Sequence, residues 1–173
     1  CAVGTVDSSD NSITFEKVTF HDQRINGVDC CYDSTTGKIL AAWNRDVTNK
    51  RAGLSVVGTV VGTGITFGPS AMWKFFGSNS APDQVNAVYD ENSKKMVVVY
   101  KDNNNNYGRA RVGTVSGDMI QWGDDEVRID SSDGVDLIES EYDTRAKKVV
   151  VTYKQSSSPE KGQYVVGTVV GNG

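Results

Sequence analysis

Along this chain, runs of β-branched and aromatic residues alternate with clusters of Asp, Asn, Ser, Thr and Gly, and no stretch of useful length carries a helical period. Cys1 to Val6, the turn cluster Asp7 to Ser12, and Ile13-Thr14-Phe15 with Val18-Thr19-Phe20 predict a hairpin. After a polar break, Val28 to Tyr32, the turn Asp33 to Gly37 and Lys38 to Trp43 predict a second. A polar loop, Asn44 to Arg51, returns the chain to Leu54 to Val60, where the cycle restarts. It passes through Ile65-Thr66-Phe67, Met72 to Phe76, Val85 to Tyr89, Met96 to Tyr100 and Ala110 to Val115. Ile120-Gln121-Trp122, Val127 to Ile129, Leu137 to Tyr142, Val149 to Tyr153 and Tyr164 to Val169 complete it.

The punctuation of this pattern is a repeat. Val-Gly-Thr-Val stands at 3–6, 57–60, 112–115 and 166–169, with glycine spacings of 54, 55 and 54 residues, and Tyr-Asp stands at 32/33, 89/90 and 142/143. A period of that size means stacked supersecondary units. The chain therefore reads as a single repeat array over 1–173, with periods of about 3–56, 57–111 and 112–165 and a partial repeat at 166–173. Met96 to Tyr100, Val149 to Tyr153 and Ile39 to Trp43 are apolar on both faces, so each belongs to the middle of a sheet covered on both sides. Glu126 to Asp130 alternates, as an edge strand does. The expected fold is all-β: three tandem four-stranded antiparallel blades of a β-propeller-like repeat, with a β-solenoid as the alternative.

The cycle of Tyr-Asp, turn, Lys-(Val/Met/Ile)-apolar-apolar-x-(Tyr/Trp), polar loop, Val-Gly-Thr-Val, turn and Ile-x-(Phe/Trp) resembles tandem β-propeller repeats of large surface or secreted proteins of marine organisms and microbes. The likeness covers essentially the whole chain. Gly113 through Ile120-Gln121-Trp122-Gly123 also looks like the hairpin of sialidase-type blades, without their Ser-x-Asp-x-Gly-x-x-Trp box. The resemblance thus implies the fold and an extracellular or cell-surface setting, not the sialidase activity. Three blades fall short of the four to eight of closed propellers. The expected solutions are a segment of a longer ring or array, a filament unit joined by a heterologous contact, or two chains closing a six-bladed ring.

Composition narrows the partners. Net charge is −4 with 23% charged residues, which gives no electrostatic footprint for nucleic acid or anionic membrane, and no apolar run approaches a membrane span. The chain opens on a repeat consensus without Met, as expected of a processed chain or an excerpt. Cys1, Cys30 and Cys31 have no metal-type spacing. They are candidates for small buried residues or for a disulfide from Cys1 to Cys30 or Cys31 or to another chain. A lipid-modified Cys1 is a further reading.

Candidate chemistry lies in polar positions that the repeat keeps. The residue three before each Tyr is Asp29, Asn86 or Glu139, and Glu141 shares the face of Glu139. On an innermost strand these would point toward a shared axis, as a solvated channel wall or as oxygens holding a sugar or Ca²⁺. The loops carrying Asp46, Asp102 and Asn105, together with Trp73, are candidate binding surfaces on a rigid scaffold. The glycine of Val-Gly-Thr-Val is expected to permit a bulge or a close approach of the neighbouring sheet, and the Asp after Tyr to bond turn amides. Catalysis has little support: His21 is the lone histidine, and the seven arginines do not recur at one repeat position. The expected function is a non-catalytic extracellular structural module forming a scaffold, filament or adhesive surface by self-association. The alternative is a carbohydrate-binding propeller lectin, and a distant third is a glycosidase-like enzyme.

Overall fold

The computed structural model describes residues 1–45, 52–68, 73–76, 82–130 and 134–170. They form fourteen strands in four antiparallel sheets. Sheet I pairs β1 (Ala2–Asp7) with β2 (Ser12–Lys17). Sheet II runs β3 (Ile25–Asp33), β4 (Lys38–Arg45), β5 (Ala52–Val61), β6 (Gly64–Phe67), and β7 (Trp73–Phe76) also pairs with β5. Sheet III runs β8 (Pro82–Asp90), β9 (Lys95–Asp102), β10 (Tyr107–Ser116), β11 (Met119–Asp130). Sheet IV runs β12 (Val135–Asp143), β13 (Lys148–Gln155), β14 (Gly162–Gly167). Within each sheet sequence neighbours pair, as short turns between antiparallel strands dictate, except that β7 passes over β6 to pair with β5. β11 is one continuous edge strand where the sequence pattern suggested two pieces, whereas the corresponding part of sheet II is split into β6 and β7.

Sheets II, III and IV stack face to face, because their second strands β4, β9 and β13 are apolar on both sides. In sheet II, Leu40 and Ala42 face sheet III while Ala41 and Trp43 pack with Phe20 beside sheet I. In sheet III, Met96, Val98 and Tyr100 join the core shared with sheet II, and Val97 and Val99 join the core shared with sheet IV. Sheet IV turns Val149, Val151 and Tyr153 inward. Its other face is open: Val150 is half-buried and Thr152 exposed, although β13 is as apolar as its counterparts. Phe75 wedges between sheets II and III, with ring centroids 5.4 Å from Tyr100 and 5.8 Å from Trp122. Arg111 links the same sheets, donating to the carbonyls of Gly123 and Phe75 at 2.7 Å each.

The consensus glycine makes room within its own sheet rather than for a neighbouring one. A Cβ on Gly58 would meet Ile65 Cδ1 and Phe67 Cδ1 at 2.9 Å, and the Ile-x-aromatic pair of the next strand crosses Gly4 and Gly113 in the same way. The consensus threonine has a partner in every complete repeat. Lys38, Lys95 and Lys148 donate to Thr59, Thr114 and Thr168 at 2.7, 2.6 and 2.6 Å.

The turns after Tyr-Asp end on a residue in the left-handed region, Gly37, Lys94 or Lys147 (φ 71°, 58° and 57°). A lysine there carries about 1 kcal/mol of strain that glycine lacks. Lys147→Gly is therefore expected to stabilise the exposed turn by about 0.5 kcal/mol after the greater backbone entropy of glycine is counted. A small rise in urea midpoint at unchanged slope is the check.

Candidate functional site

The polar positions of β3, β8 and β12 form a joint between sheets. Two residues before each lies a bulge, with Gly27, Gln84 and Leu137 at φ 48°, 49° and 50° and a register shift against the next strand. The bulge re-aims the following side chain. Asp29 Oδ2 accepts from the Ala87 amide of the next sheet at 2.9 Å, and Asn86 Oδ1 accepts from the Ser140 amide at 2.8 Å. Ser140 Oγ also donates to Asn86 Oδ1, and Asn86 Nδ2 donates to Glu139 Oε2 at 2.9 Å. These are equivalent bonds one repeat apart: an acceptor on one sheet caps an amide one residue further along on the next. Asp29 and Asn86 thus each spend an oxygen on the next sheet, at the positions read as a solvated channel wall or as ligand oxygens. Asp29 and Asn86 are half-buried and bonded across the stack, because an unpaired amide at the sheet face would cost more than a solvated one. Glu139, in sheet IV, is exposed, and its Oε2 takes the Asn86 bond.

The tyrosines build a second joint. Tyr89 Oη donates to Thr35 Oγ1 of the preceding sheet at 2.7 Å, and Tyr142 Oη accepts from the Asn92 amide at 3.1 Å. Thr35 and Asn92 are both two residues past the Asp of their Tyr-Asp pair. That Asp bonds its turn as its position predicted. Asp33 accepts from the Thr35 and Thr36 amides (2.8 and 3.0 Å), Asp90 from Asn92 and Ser93 (2.9 and 3.0 Å), and Asp143 from Arg145 and Ala146 (2.9 and 2.8 Å). Burial pushes the Asp33 carboxyl up, but the bonds from the Thr36 hydroxyl and the turn amides hold it below the ordinary range. The recurrence of Lys six residues after Tyr, together with the consensus Thr, was the sequence signal for the Lys–Thr bonds. The tyrosine hydroxyl bonds had no signal beyond Tyr-Asp itself.

Where β3, β8 and β12 approach one another lies a shallow basin of about 300 Å³, lined among others by Cys30, Tyr32, Tyr89, Glu91, Glu141 and Tyr142. Glu141 is exposed there, beside the same strand face as Glu139. The other candidates fall elsewhere. Asp102 is buried and accepts from the Asn104 amide at 3.0 Å and from Arg109 Nε at 2.9 Å, and Asn105 Oδ1 accepts from the Tyr107 amide at 3.0 Å. Both are thus spent on their own turn. Trp73 lies in β7, with its side chain outside the described residues, as is all of Asp46. Among the described residues no group of three His, Cys, Asp or Glu could hold a metal ion, and no helix is long and apolar enough to cross a membrane.

No disulfide joins the cysteines. Cys1 and Cys30 are exposed free thiols, and Cys31 lies against the core with its Sγ 3.4 Å from Met96 Sδ. Burial first, and the nearby Asp29 charge second, push the Cys31 thiol far up, so it stays protonated and unreactive.

No protein-family model matches this chain, and no match is found among curated proteins or solved structures.

Proposed function

We propose that the sheets are blades of a β-propeller-like repeat and that the chain is a non-catalytic extracellular structural module. Its role is to build a scaffold, filament or adhesive surface by stacking blade on blade. One observation carries this reading: the inter-sheet joints recur in kind, and the end sheets hold their halves unmatched. Tyr89 and Tyr142, seated on the turn before them, are 6% and 8% exposed, whereas Tyr32, with no complete sheet before it, is 58% exposed. At the other end Glu139 and the turn at Arg145 repeat the same positions in sheet IV and are exposed. Complementary exposed halves of one joint suit continuation by a heterologous contact, with a further repeat of the chain or with another copy. The polar side chains of the inner strands serve that joint, which supports a structural role over a catalytic one. The extracellular setting rests on the family resemblance.

Size exclusion with light scattering, with and without reductant, tests the proposal. Species larger than one chain are expected in both conditions, and Tyr32→Ala is expected to shift them toward the monomer. A monomer at every concentration would overturn it. A second reading, a glycan site in the basin beside Tyr32, Glu91 and Glu141, is favoured by the aromatic and carboxylate groups on its wall. A glycan array with and without Ca²⁺ separates the two.

A further inference from the structure

Between β7 of sheet II and the β10–β11 hairpin of sheet III lies a cavity of about 460 Å³, within the range of small-ligand sites, roughly 300–1,000 Å³. Met119, Ile120 and Trp122 form its apolar wall, and Lys74, Arg111, Ser116 and Gln121 bring polar groups to it. Arg111 breaks the repeat. Val56 and Val165 stand at its position in the neighbouring periods, and each packs with the apolar core in front of its own sheet.

The Arg111 guanidinium is fixed by main chain alone. Nε donates to the Gly123 carbonyl and Nη1 to the Phe75 carbonyl, at 2.7 Å each. Those bonds hold the half-buried group in place and leave its charge without a counter-ion. Glu126, its partner in register on β11, instead accepts from Arg109 and from the Tyr100 hydroxyl, and Asp118 in the hairpin turn pairs with Lys38 at 2.7 Å. Among the described residues no carboxylate pairs with Arg111 or Lys74, and neither Arg111 Nη2 nor Lys74 Nζ makes a hydrogen bond. Keeping a cation partly desolvated without an anion is costly, and an anion that arrives from outside finds the guanidinium already oriented.

We infer that this cavity binds a sugar unit carrying one carboxylate or sulfate group. Arg111 takes the anion through the N–H groups its carbonyl bonds leave over, and Lys74, exposed on β7, adds a flexible point charge. Ser116 and Gln121 offer a hydroxyl and an amide to the ring hydroxyls, while the apolar wall takes the C–H face. The net charge of −4 works against a polyanion, whose further charges would meet the repelling field of the whole chain. The lining residues belong to two consecutive repeats, so the site stands whether or not copies of the chain stack.

Titration with methyl β-D-glucuronide and with glucose 6-sulfate, read at the indole N–H resonance of Trp122, tests the assignment, with methyl β-D-glucoside as the neutral control. A saturable shift is expected with at least one acidic sugar, at an affinity about tenfold or more above that of the neutral one. The tighter of the two tells carboxylate from sulfate. Lys74→Glu reverses a charge at an exposed position, so it is expected to leave the melting curve unchanged and to weaken binding about tenfold or more. Tyr32→Ala, in the basin between β3, β8 and β12, is expected to leave binding unchanged. Equal response to neutral and acidic sugars, no response to either acid, full binding by Lys74→Glu, or loss of binding in Tyr32→Ala would each overturn the assignment.

Discussion

Gly113→Ala is expected to destabilise the chain by about 2–3 kcal/mol, a fall in melting temperature of roughly 4–12 °C for a protein of this size. The added methyl would lie 2.7 Å from Trp122 Cε3 and 2.8 Å from Ile120 Cδ1. Neither can retreat: Ile120 is in the core shared by sheets II and III, and Trp122 is held by its bond to Ser55. Either the pair leaves its rotamers or β11 separates from β10. Gly4→Ala places a methyl at a similar 2.8 Å from Phe15 Cε1 and 2.9 Å from Ile13 Cδ1, yet those side chains face water and can swing aside. Its cost in the dilute chain is expected to stay below about 0.5 kcal/mol. The same motif letter thus carries two different energies, decided by what covers the neighbouring strand. Equal losses at both positions would mean that the glycine is required by backbone conformation rather than by space.

The strands and their order were legible because each is a short apolar run bounded by turn residues, and the repeat checked every assignment three times over. The two-sided burial of β4 and β9 was legible too, since a run such as Met96 to Tyr100 has no face fit for water. The same inference overreached at β13. Val150 and Thr152 face outward because sequence records what a strand is built to contact, while burial depends on whether the contact is present. The row Asp29, Asn86 and Glu139 was visible as polarity kept among apolar neighbours, but its bonds were hidden. Its partners are the main-chain amides of Ala87 and Ser140, and a backbone amide leaves no mark on a sequence. The left-handed bulge that aims the row was equally hidden, because the position is Gly in one repeat, Gln in the next and Leu in the third.

Arg109→Met is expected to cost about 3 kcal/mol, read as a lower urea midpoint at unchanged slope. The guanidinium joins two carboxylates, with Nε 2.9 Å from Asp102 Oδ2 and Nη1 2.9 Å from Glu126 Oε2; Glu126 in turn accepts from the Tyr100 hydroxyl in the core. Methionine keeps most of the stem packing, so the loss is chiefly electrostatic. It falls unequally on the two acids. The Glu126 side chain is 26% exposed and can recover water, whereas that of Asp102 is 4% exposed and would keep a charge satisfied only by the Asn104 amides. Removing that charge as well should restore part of the loss. Asp102→Asn with Arg109→Met is expected to be less destabilised than the sum of the single variants by about 1 kcal/mol or more. Additive losses would mean that the Asp102 carboxylate is held by its turn alone. The Asp102 to Asn106 loop would then be a self-sufficient structure that the arginine merely covers, free to vary between repeats without cost to the sheet beneath it.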